Sequence, residues 1–77
     1  MEREYYIMRR KMIARAVEPI LEKHEVPRLW WGLYMWFAEG YYEAVKRMKT
    51  MTEEELIGKM VSYGLDESIL KDIAEVL

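Results

Sequence analysis

A small all-α domain of four helices is what this sequence predicts, on three observations. Apolar residues recur at three- and four-residue spacing from Tyr5 onward, cap signatures punctuate the C-terminal third, and no stretch alternates apolar and polar residues as a strand would. The expected layout within one domain of 77 residues is a long kinked antiparallel hairpin (about 3–24 and 27–49) followed by a short one (about 53–63 and 66–77), assembled into a dimeric bundle.

The first helix rests on Tyr5, Met8, Met12, Ile13, Ala16, Val17, Ile20 and Leu21, which share one helical face. Pro19 lies inside it, removes one backbone donor and crowds the carbonyl of Arg15, so a kink is expected there. His24-Glu25-Val26-Pro27 reads as a tight connection, with proline suited to the first helical position of the second helix. That second helix should run to about Lys49. Thr52 followed by Glu53, Glu54 and Glu55 is a capping-box signature that starts the third helix, with Leu56, Ile57, Met60 and Val61 on its apolar face. Gly64 suits the left-handed residue that ends it, and Leu65 the apolar contact that follows. Asp66 then caps a fourth helix with Ile69, Leu70, Ile73, Ala74 and Leu77 as its stripe. The turn from Met60 to Gly64 resembles that of ubiquitin-associated domains over two helices only, in common residues that imply no function.

Size and composition narrow what such a domain can do. A chain this short buries only about 60% of the surface its unfolded form exposes, and small domains supplement their cores with disulfides, metals or oligomerisation. With no cysteine and a single histidine, oligomerisation is the device left. The lack of cysteine gives no argument for an oxidising compartment, and the N-terminus lacks the layout of a secretory signal, so a cytoplasmic location is expected. The longest uncharged apolar run, Leu29 to Ala38, is too short to cross a bilayer. There is no asparagine or glutamine, a composition like that of heat-adapted proteins. Charge is uneven: residues 1–52 hold ten bases against seven acids (+3), whereas residues 53–77 hold two bases against seven acids (−5). The two parts should attract each other, within the fold or between copies.

The second helix is the unusual element. Trp30, Trp31, Tyr34, Trp36, Phe37, Tyr41 and Tyr42 give it rings on nearly every side. Trp30, Tyr34, Phe37, Tyr41, Val45 and Met48 lie on one face, Leu29, Leu33, Trp36, Gly40 and Ala44 on the next, and Trp31, Met35, Ala38 and Tyr42 on a third. Only a narrow stripe through Arg28, Gly32, Glu39, Glu43 and Lys46 is polar or small, and a helix apolar nearly all round is either central to a core or shared with another chain. One hairpin partner and one short hairpin cover about two of the three faces, so the expected function is interaction: a small non-catalytic regulatory protein that forms a homodimer, or binds a protein partner, through the seven rings. Filling of a single monomeric core is the plain alternative, and rings beside Arg28, Lys46, Arg47 and Lys49 at a lipid headgroup boundary a further one, opposed by Glu39 and Glu43.

Chemistry is sparse. No thiol accompanies His24, Ser62 and Ser68 have no base nearby in sequence, and Glu18, Glu22 and Glu25 read as a solvated helix end, so no catalytic residue, metal site or cofactor is expected. Gly32, Gly40, Gly58 and Gly64 are too scattered for a phosphate loop. The second functional reading is a nucleic-acid-binding regulator that grips phosphates with Arg9, Arg10, Lys11 and Arg15, on the first helix. A helix-turn-helix built on the last two helices is disfavoured, because Asp66, Glu67, Asp72 and Glu75 would repel DNA from the reader position.

Overall fold

A computed structural model describes residues 2–77. Helix α1 (Glu2–Lys23) pairs with α2 (Arg28–Gly40), whose last turns continue as a π-helical segment (Tyr41–Arg47), and α3 (Glu53–Ser62) and α4 (Glu67–Val76) form the second hairpin. No strand occurs among the described residues. The four expected helices are present, with ends shifted by a residue or two.

Each boundary has a chemical cause. Leaving α1, the Glu25 amide donates to the carbonyl of Glu22 at 3.0 Å and the Val26 amide to that of Leu21 at 2.9 Å. Glu25 takes φ 54° between them. This is the Schellman arrangement, built here on a glutamate where glycine is usual. The same pair of bonds ends α3, from Gly64 to Val61 and from Leu65 to Met60, and here the left-handed residue is Gly64 at φ 100°. Thr52 Oγ1 accepts from the Glu55 amide at 3.1 Å and donates to the Glu55 carboxylate at 3.1 Å. Asp66 Oδ1 accepts from the amides of Ser68 and Ile69 at 2.8 and 3.3 Å, so both short helices are capped as the sequence predicts.

One expectation needs correction, and it concerns the second helix. Helix α1 continues through Pro19 as a single helix. Pro19 and Arg15 both lie on the exposed side, where water serves the carbonyl that the missing N–H leaves free. The second helix is not α-helical to Lys49. From Tyr41 it widens, the Met48 amide reaching the carbonyl of Glu43 five residues back at 2.8 Å and the Thr50 amide that of Ala44 at 2.8 Å. Lys49, at φ 55°, turns the chain out of it.

The core is confined to one end of the long hairpin. Ile13, Val17 and Leu21 of α1 meet Tyr34, Phe37, Ala38 and Tyr41, while Leu56, Ile57 and Met60 of α3 and Ile69, Leu70, Ile73 and Ala74 of α4 close over them, with Leu65 plugging the turn. Among the described residues no polar or charged one is buried. A helix of 22 residues is about 33 Å long, close to the 35 Å long dimension of the molecule. The second hairpin spans only part of that length. In the first half of α1, Tyr5, Tyr6, Ile7, Met8 and Met12 are therefore exposed, although the periodicity assigns Tyr5, Met8 and Met12 to the same face as the core residues.

Candidate interaction surface

The seven rings of the aromatic segment divide into three groups. Tyr34, Phe37 and Tyr41 belong to the core. Phe37 and Tyr41 pack with ring centroids 5.9 Å apart. Both tyrosine hydroxyls fasten the second hairpin: Tyr34 accepts from the Asp66 amide at 3.0 Å, and Tyr41 donates to Glu53 at 2.8 Å. Burial, reinforced by that bond to a carboxylate, pushes the Tyr41 phenol up to about 12. These three rings serve the chain's own fold and are not accessible to a partner.

Trp31 and Tyr42 are half-buried against the core. The Trp31 indole donates to the carbonyl of Val26 at 2.8 Å and carries the Arg28 guanidinium over its face at 4.2 Å, which locks the entry to α2. Only Trp30 and Trp36 remain outside. They are 42% and 54% exposed, beside Leu33 at 40% and Leu29 at 90%. Leu29, Leu33, Trp36 and Gly40 follow one another at four- and three-residue steps, so they form one stripe along the outer face of α2 with Trp30 at its edge. A methyl group at the Gly40 Cβ position would meet no atom within 4 Å, so the backbone is open to close approach there.

The basic cluster of α1 is also divided. Arg9 lies 3.2 Å from Glu43 and 3.7 Å from Glu39, its guanidinium 4.8 Å above the Tyr6 ring, and Arg10 reaches Glu39 at 3.4 Å. Arg47 closes the same network on Glu43 at 2.8 Å, and Tyr5 donates to Glu43 at 3.1 Å. Hydrogen bonds from Arg47 are the main cause that holds the Glu43 carboxyl down at about 2; Tyr5 and the charges of Arg47 and Arg9 add to them against the opposing effect of burial. Lys11 and Arg15 stand apart, along a cleft with Met8, Met12 and Ala16. Sequence reading missed that Glu39 and Glu43, one turn apart on the polar stripe of the second helix, face Arg9 and Arg10 across the hairpin. An antiparallel register drawn through the tight turn at Pro27 is the signal that would have found it.

His24 joins α1 to α4 through Asp72 at 2.7 Å. No group of three or more histidines and acids is placed to hold a metal among the described residues, and no helix of the structure is long and apolar enough to cross a membrane. No protein-family model matches this chain, and no curated protein and no solved structure is significantly similar to it.

Proposed function

We propose that this is a small, non-catalytic, cytoplasmic interaction protein that forms a homodimer through the outer face of α2. The observation that carries the reading is the unbroken apolar stripe of Leu29, Leu33 and Trp36, flanked by Trp30 and ending at the open backbone of Gly40. These side chains leave roughly 400–500 Å² of apolar surface on each copy, the size of the largest patches that monomers carry. Two copies crossing at the stripe, with their margins, approach the roughly 800 Å² per partner of a standard interface. A two-fold contact of this kind is self-complementary, so one stripe suffices for both sides. Trp30 and Trp36 are the anchors, since tryptophan is enriched among the residues that dominate binding energy.

Capture of a different protein by the same stripe is the neighbouring reading, and phosphate binding by α1 the more distant one. Ion pairing encloses Arg9 and engages the exposed Arg10 only through Nε, so among the described residues Lys11 and Arg15 are the cations of that cluster free of ion pairs. Light scattering after size exclusion, over a range of concentrations, tests the proposal. The parent chain is expected at a mass of at least two chains, and Trp36→Glu or Leu33→Glu at a lower apparent mass with unchanged helical circular dichroism. A mass that neither substitution moves removes the α2 interface.

A further inference from the structure

Two surfaces away from the α2 stripe are biased in charge as well as polarity, in opposite senses. The first is a groove of about 470 Å³ between α3 and α4, floored by Ile57, Gly58 and Val61 and rimmed by Glu53, Glu54 and Glu67. The one cation on its edge, Lys71, is engaged by Glu67 at 3.0 Å. The second is a cleft of about 600 Å³ on α1, where Met8, Met12 and Ala16 lie with Lys11 and Arg15 and no carboxylate lines the wall. Among the described residues neither Lys11 nor Arg15 takes part in an ion pair.

Gly58 gives the groove a separate oddity. Glycine inside a helix is destabilising relative to alanine, and nothing within the chain asks for it, because a methyl group at its Cβ position would meet no atom within 4 Å. Gly58 is itself exposed, and the space beside it lies along the groove, open to an incoming molecule.

We propose that the carboxylate-rimmed groove between α3 and α4 receives the Met8–Met12 face of α1, with Lys11 and Arg15, from a second copy of this chain. Each copy carries both halves of the contact. Methionine side chains are flexible enough to follow the floor beside Gly58 and Val61, and the two cations come to Glu53 and Glu54, with Glu67 shared with Lys71 in an exposed pair. The −5 balance of residues 53–77 and the +3 balance of residues 1–52 become complementary between molecules. Such a contact is heterologous, so it extends assembly beyond the two-fold pair of the α2 stripe and does not depend on it.

The experiment is sedimentation equilibrium in a Trp36→Glu background, which takes the α2 stripe out of play, with circular dichroism to verify that every variant folds. In that background the chain is expected to associate at low salt and less so at moderate salt. Lys11→Glu with Arg15→Glu in one protein, and Glu54→Lys with Glu67→Lys in another, should each weaken association at least about tenfold. An equimolar mixture of the two should restore it, because the reversed faces then match only across species. Gly58→Ala should raise the melting temperature yet weaken association about tenfold, by filling the space at the floor. The proposal is overturned if the groove variant associates as tightly as its parent, if the mixture restores nothing, or if Gly58→Ala stabilises the chain without touching association. A Trp36→Glu protein that stays monomeric throughout also overturns it and leaves the α2 dimer standing; one that associates as before, with the charge swap in control, overturns the α2 dimer and leaves the groove.

Discussion

The two halves of α1 are built from similar residues and used in opposite ways. From Ile13 to Leu21 every fourth residue is fully buried, pressed between α2 and α4. From Glu2 to Met12 no residue is buried, and the helix is held to its neighbour by guanidinium, carboxylate and phenol groups instead: Arg9 and Arg10 on Glu39, Arg9 and Tyr5 on Glu43. Apolar packing sustains one half and a charged network the other. Exposed ion pairs contribute typically about 0–1 kcal/mol each, and for partly buried ones such as Arg9 with Glu43 desolvation offsets much of the attraction, so the N-terminal half should open more easily than the rest.

The sharpest way to break that contrast is a pair of truncations. Phe37→Ala, at the fully buried centre, should cost about 3–5 kcal/mol, enough to unfold a domain of this size, whereas Met8→Ala should stay within about 0.5 kcal/mol; chemical denaturation of both variants measures the gap. Similar losses would mean that the N-terminal half belongs to the same cooperative unit.

A smaller effect concerns how α1 ends. Glu25 holds a left-handed conformation that glycine adopts freely, as Gly64 does at the end of α3. Glu25→Gly should therefore raise stability by about 0.5–1 kcal/mol, read as a rise in melting temperature. A fall would show that the glutamate side chain has a role at the turn that outweighs its backbone strain.

A last test concerns the charged half alone. The Glu43 carboxyl sits at about 2 in the fold against an ordinary value of 4.5. A depressed carboxyl stabilises the folded chain at every pH above its ordinary value, and that contribution fades as pH falls from 4.5 through about 2. A carboxylate titration by NMR should place the Glu43 midpoint near 2 in the parent and closer to the ordinary range in Arg47→Ala. An unchanged midpoint in the variant would take Arg47 out of the network.

Much of the fold was legible in the sequence because its punctuation is local. Thr52, Asp66 and Gly64 each act on amides or carbonyls within a few residues, and the structure uses each as the spacing predicts. What periodicity does not carry is how far a neighbouring element reaches. Tyr5, Met8 and Met12 fall in phase with Ile13 and Val17, but α4 does not extend along the hairpin to cover them. The widening at Tyr41 is hidden for a similar reason: it coincides with Tyr41 reaching Glu53 and Glu43 reaching Arg9, contacts made across the fold. For the candidate surface, the ring-rich helix was evident, while its division into core and outer stripe required the positions of α1 and α4.

The three tryptophans also make the molecule its own optical reporter. Trp31 is half-enclosed with its indole N–H bound to the Val26 carbonyl, Trp36 faces solvent on the outer stripe, and Trp30 stands between them at the edge. Emission from Trp31 therefore follows the closing of the long hairpin, and the quenching of Trp36 follows whatever comes to rest on α2, so folding and encounter leave separate signatures in one unlabelled chain.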